Sequence, residues 1–111
     1  MLFSVFFNFF FWFFLGYGLT ETCAGTALQA ANQYYSTGNN GPIAACVEVK
    51  LLSVPEMNYN VTDKPCPRGE VLIRGPSVTQ GYYKDVKQNA ESFKDGWFCT
   101  GGNKLFHIFF H

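Results

Sequence analysis

The chain has 111 residues, a formal net charge of zero at pH 7, and 14% charged against 48% hydrophobic residues. That length builds one compact domain or a piece of a larger one, and it excludes a complete multidomain enzyme. A neutral, sparsely charged chain lacks the field that gathers nucleic acid, so nucleic acid is excluded as a partner.

The first element in chain order is a Phe-rich apolar segment, residues 1–15. Eight of the thirteen phenylalanines lie between Phe3 and Phe14 and three more in 105–111, and no charged residue precedes Glu21. The segment has neither the basic flank nor the small-residue cleavage site of a signal peptide. A spanning helix needs about 20 apolar residues, a length the run reaches only by borrowing Gly16 to Leu19. Two readings stay open: a membrane segment over residues 1–19, or an exposed, aggregation-prone stretch.

From Gly16 the composition becomes that of an ordinary soluble protein. "GYGLTETCAG" places glycines at 16, 18 and 25 and predicts a tight loop with close backbone approach. "TALQAANQYY" predicts a short helix, and "STGNNGP", residues 36–42, a turn with Gly38, Asn39, Asn40 and Gly41 ahead of Pro42. In "ACVEVKLLSV" the alternation of Val47, Val49 and Leu51 with Glu48 and Lys50 predicts a half-buried strand. Residues 55–69, with three prolines, predict a loop, and "GEVLIRG" a second strand closed by glycines. A short helix is expected near Val86–Phe93, then a turn at Asp95-Gly96 before Trp97-Phe98. Lys84, Lys87 and Lys94 read as a solvated face. Short strands in a loop-rich frame predict part of a β-rich subdomain.

The four cysteines, Cys23, Cys46, Cys66 and Cys99, have neither CxxC pairing nor a nearby His at ligand spacing, and read as free thiols, with two disulfides the alternative if the chain were secreted. His107 and His111 are four apart without a third ligand, too few for a metal site. Asn60-Val61-Thr62 is formally a glycosylation acceptor that matters only in a secretory setting.

Two loops carry chemistry. The first sets the Thr20 hydroxyl and the Glu21 carboxylate in a glycine-flanked turn, a pairing suited to a phosphate oxygen and to Mg²⁺, a hard cation that prefers oxygen ligands. The second, "DGWFCTGG", ends on the Thr100 hydroxyl. Each alone reads as an ordinary turn. Together, with "GEVLIRG" and "GYYKD" between them, they form an ordered pattern.

"GYGLTET", "GEVLIRGPSVTQGYYKD" and "DGWFCTG" resemble the AMP-forming adenylate synthetases, and "VPEMNYNVTDKPCPRGEVLIRGP" looks most like the long-chain fatty-acid–CoA ligase branch. The resemblance implies an α/β family fold, of which residues 16–101 would be a β-rich (α+β) piece of the large N-terminal AMP-binding domain, with 102–111 a non-family tail. It implies ligation of a long-chain fatty acid to coenzyme A through an acyl-adenylate, consuming ATP and using Mg²⁺. It assigns Thr20 and Glu21 to catalysis, Glu21 to the metal, and Tyr17, Gly18, Thr20 and Thr100 to the nucleotide, with Tyr17 beside adenine and Thr20 on the α-phosphate. Gly81-Tyr82-Tyr83 receives a packing role and Trp97 a place in the core. By family the enzyme would be membrane-associated and face the cytosol, at the endoplasmic reticulum or peroxisome.

The departures bear on activity. The family's second loop ends Thr-Gly-Asp, whose carboxylate holds the ribose hydroxyls, and here Gly102 takes that position. Charge-assisted hydrogen bonds are worth about 1.5–3 kcal/mol each, so nucleotide affinity should fall. The Phe run is read as standing where the family has a phosphate loop, and the expectation is of a chain without the family's hinge, lid domain and adenylation lysine after Gly101. The expectation is a fragment inactive by itself, with a seam near Leu15–Gly16 and ends arising as a gene-model artefact or truncation. The alternative is a small membrane-anchored, non-catalytic interaction protein.

Overall fold

A computed structural model describes residues 16–29 and 40–101. Two antiparallel sheets organise them. The larger has strand order β3-β4-β6-β5, built from Glu48–Leu52 (β3), Glu70–Arg74 (β4), Phe93–Lys94 (β5) and Trp97–Cys99 (β6). The smaller pairs Gly16–Tyr17 (β1) with Ala27–Leu28 (β2). One α-helix, Val86–Ser92 (α1), leads directly into β5.

The alternation in β3 sets its sidedness. Val49 pairs with Ile73 and Leu51 with Val71, so these four side chains share one face, while Glu48, Lys50 and Arg74 share the other. β4 is an interior strand, bonded to β3 on one side and to β6 on the other, and Val71, Leu72 and Ile73 are all buried. Val71 and Ile73 are fully enclosed, and burial of such side chains contributes about 1.5–3 kcal/mol each. They form a cluster with Val47 and Tyr17, against which Leu19, Ala27, Ile43 and Val78 pack. The small sheet is thereby fastened to the large one through apolar contact.

The β5–β6 connection follows its sequence. Asp95 and Gly96 both have positive φ, 51° and 77°, the conformation that a two-residue hairpin turn requires. Helix α1 is capped by Asp85, whose Oδ1 accepts from the Gln88 N–H at 2.9 Å.

Two sequence expectations are corrected. Ala27–Leu28 is extended, because it pairs with Gly16–Tyr17 and Ala27 also bridges Ile43; the remainder of the expected helix, from residue 30, lies outside the described residues. Trp97 is not core. It is half-buried on the polar face, with Lys50 Nζ 4.1 Å from the ring centroid and the Arg74 guanidinium 4.5 Å away. The expected turn at 36–42 is described only from Asn40, and Gly41 has φ +79°. Within the expected loop, Pro55–Met57 forms one turn of 3-10 helix, closed by a bridge between Val54 and Tyr59.

Candidate functional site

The loop between β1 and β2 is held by hydroxyl groups. Thr22 is fully buried, and its Oγ1 accepts from the Leu19 N–H at 2.9 Å and donates to the Leu19 carbonyl at 3.1 Å. Thr26 Oγ1 donates to Thr22 Oγ1 at 3.1 Å. This knot folds Thr20–Thr22 into a 3-10 turn and projects the flanking Thr20 and Glu21 side chains outward, into a cleft. Cys23 and Ala24 take positive φ as the chain turns back. Gly18 is needed at the close approach that results, since a Cβ there would sit 1.8 Å from the Ala24 carbonyl oxygen.

The cleft has a volume of about 290 Å³, at the small end of ligand sites. Its first wall is Leu19, Thr20 and Glu21; its second is Phe98 to Gly101, leaving β6; its third is Tyr82 with Gln88 and Ser92 of α1. The two glycine loops therefore meet, and Thr20, Glu21 and Thr100 line one space. Thr100 is fixed by its N–H to the Val71 carbonyl at 3.3 Å, and its Oγ1 is buried without a hydrogen-bond partner among the described residues.

Gly18 and Tyr17 lie behind the cleft. Gly18 serves the backbone crossing, and the Tyr17 ring, 8% exposed, belongs to the core cluster. Burial raises the Tyr17 phenol above its ordinary pKa. The Thr100 hydroxyl stands close enough to oppose that shift, though without a hydrogen bond of standard geometry.

Tyr82 is where sequence reasoning missed the site. Its expected role was packing, but its hydroxyl donates to Glu21 Oε1 at 2.7 Å. Burial, then the Glu21 hydrogen bond and charge, raise the Tyr82 phenol. The Cys99 thiol in the same lining is likewise raised, first by burial and then by Glu70. Gln88 Nε2 donates to Ser92 Oγ at 2.9 Å on the helix wall. No motif singled out these helix residues, because their relevance depends on α1 being brought across the cleft.

The donor chemistry suits a phosphate-bound cation. Among the described residues no group of three or more His, Cys, Asp or Glu side chains gathers as a metal site, so Glu21 provides one carboxylate with hydroxyls around it. Mg²⁺ characteristically takes one or two protein carboxylates and completes its shell with waters and substrate phosphates. All four cysteines are free thiols. No helix among the described residues is long and apolar enough to cross a membrane; residues 1–15, Gly102 and the His107/His111 pair lie outside them.

Residues 5–83 match the family described as "AMP-binding enzyme", a match that begins inside the Phe-rich segment. The chain belongs to the AMP-binding enzyme family. It is 52% identical over 87 residues to fatty acyl-CoA synthetase A of Dictyostelium discoideum, an alignment covering 78% of this chain and 13% of that protein. Long chain acyl-CoA synthetase 7, peroxisomal, of Arabidopsis thaliana is 47% identical over 87 residues, covering 78% and 12%. The chain thus spans about one-eighth of the length of these relatives. The adenylate-forming fold is also borne out in solved structures. o-Succinylbenzoate CoA synthetase of Bacillus subtilis, in complex with its acyl-adenylate intermediate, superposes with a TM-score of 0.64 at 28% identity, over 79% of this chain and 22% of that one. The A domain of carboxylic acid reductase from Segniliparus rugosus, in complex with AMP and a co-purified carboxylic acid, gives 0.57 at 35% identity, over 79% and 12%.

Proposed function

We propose that the chain is a portion of an ATP-dependent long-chain fatty acid–CoA ligase and carries part of its nucleotide site. One observation carries the reading. Thr20, Glu21 and Thr100, named from two loops about eighty residues apart, line the same cleft. The names of the relatives supply the acyl-CoA chemistry, and that of the Arabidopsis relative is peroxisomal.

In this reading Thr20 donates its hydroxyl to the α-phosphate of ATP and Glu21 holds Mg²⁺. The cation, when bound, neutralises phosphate charge as the fatty-acid carboxylate attacks and pyrophosphate leaves. The thiol of coenzyme A then takes the acyl group and AMP departs. Thr100 closes the nucleotide side of the cleft, backed by Tyr17, and Gly18 lets the loop fold tightly enough for both. Catalysis at a membrane facing the cytosol, at the peroxisome or endoplasmic reticulum, is part of the same proposal.

The test has two stages. Titration of the 111-residue chain with ATP and Mg²⁺ should show weak binding that Glu21→Gln and Thr20→Val each reduce. ATP–pyrophosphate exchange with a long-chain fatty acid should stay at background, because so little of the relatives' length is present. Robust exchange would overturn the assignment of this chain to a non-competent portion. Binding indifferent to both substitutions would overturn the nucleotide site.

A further inference from the structure

The Glu21–Tyr82 hydrogen bond spans 61 positions of sequence, and the segment carrying Tyr82 is built to deliver it. The Tyr82 N–H donates to Asn89 Oδ1 at 2.6 Å, and Asn89 Nδ2 donates back to the Tyr82 carbonyl at 2.9 Å. One side chain of α1 thus fixes both backbone groups of the tyrosine. Its ring stands edge-on to Phe93 at 6.1 Å, which fixes the ring as well. Gly81, at φ +143°, lies so close that a Cβ would meet Asn89 Oδ1 at 2.8 Å. Three residues before Tyr82, the Thr79 N–H donates to the Glu21 carbonyl at 2.8 Å. The same stretch therefore grips the backbone of Glu21 and its side chain.

We propose that Tyr82 is a positioning residue for Glu21: its hydroxyl occupies Oε1 and fixes the plane of the carboxylate, so that the remaining lone-pair sites meet a phosphate-bound divalent cation in the cleft. A carboxylate has about four such sites, and one hydrogen bond orients the group without consuming it. The phenol ring by itself satisfies the packing against Phe93, and what the hydroxyl adds is the hold on Glu21. The inference deepens the nucleotide-site reading above and rests on it.

The experiment uses the isotope-labelled 111-residue chain titrated with Mn²⁺ and ATP, read by paramagnetic broadening of the amides of Thr20, Glu21 and Thr100. Tyr82→Phe should weaken Mn²⁺·ATP binding by about 10-fold, the lower end of what losing a partner of a metal-binding group costs. Glu21→Gln should weaken it as well, and the double variant should be no weaker than Glu21→Gln alone, because a residue acting through Glu21 has nothing left to orient. A structural role would instead give additive losses and shift the sheet amides of β4 and β6. Full affinity in Tyr82→Phe, or additive losses in the double variant, would overturn the proposal and leave the nucleotide site standing. Absence of specific broadening in the unsubstituted chain would overturn the nucleotide site and the positioning role with it.

Discussion

The β3-β4-β6-β5 sheet and the Gly16–Leu28 loop are held by different forces. The sheet rests on a backbone ladder and on Val71 and Ile73, enclosed without polar partners of their own. The loop has two residues of pairing at its base, and its interior is Thr22 and Thr26, both buried and bonded to each other and to Leu19. Apolar burial is non-directional and tolerates small displacements, whereas hydroxyl bonds fix geometry at modest net gain. The molecule therefore has a region that supplies stability and a region that supplies placement, and the Thr20 and Glu21 side chains belong to the second.

The largest effects should separate the two. Ile73→Ala removes a fully enclosed side chain at the centre of the sheet and should cost about 2–5 kcal/mol, visible as a lower urea midpoint. Gly18→Ala drives a methyl into the Ala24 carbonyl; overpacking of this kind costs about 1–3 kcal/mol, and the loop should relieve it by opening. The expected signature is loss of Mn²⁺·ATP broadening at Thr20 and Glu21 with the β4 amide shifts unchanged. Equal disturbance of both regions by either substitution would break the division.

A smaller effect comes from protonation. Tyr17, Tyr82 and Cys99 all have folded-state pKa values raised above the ordinary 10.0 and 9.0, with burial the largest cause in each. Between the unfolded and folded values the folded chain binds more protons, so stability falls as pH rises. Their contribution is whole below the ordinary thiol and phenol values and is lost as pH climbs through the folded ones. Urea midpoints measured from neutral to strongly alkaline pH should decline on that limb, and Tyr17→Phe should flatten the decline. A decline of the same slope in that variant would show that Tyr17 is not a source.

Much of the sheet was legible because its pattern is local. Val47, Val49 and Leu51 alternating with Glu48 and Lys50 mark β3, and Asp95-Gly96 marks the turn between β5 and β6. The meeting of the two glycine loops was legible from the order of the motifs, through resemblance and not through periodicity. What failed depended on partners distant in sequence. Ala27 and Leu28 have helix-favouring side chains, and their extension is set by β1 and Ile43. β6 has three residues, too few to show which face Trp97 takes. Tyr82 sits in a turn that looks structural by itself, and only the folded chain brings its hydroxyl to Glu21.

The smallest expected effect sharpens the comparison on the sheet's own polar face. Arg74 Nη2 and Glu48 Oε2 lie 2.6 Å apart, with the side chains 47% and 63% exposed. An exposed pair of this kind is worth about 0.2–1 kcal/mol, and Glu48→Gln should cost no more. Arg74→Ala also removes the guanidinium from the Trp97 ring, an interaction worth about 0.5–1 kcal/mol at exposed sites, so it should cost more than Glu48→Gln. Salt distinguishes the two parts: near 1 M the screening length falls to about 3 Å, which should erase the Glu48→Gln difference and leave part of the Arg74→Ala one. Equal losses that vanish together would mean that Trp97 gains nothing from its cations. Unequal losses would show that even the solvent face of the sheet is stabilised by side-chain contact, while the Thr22–Thr26 loop depends on hydroxyl geometry.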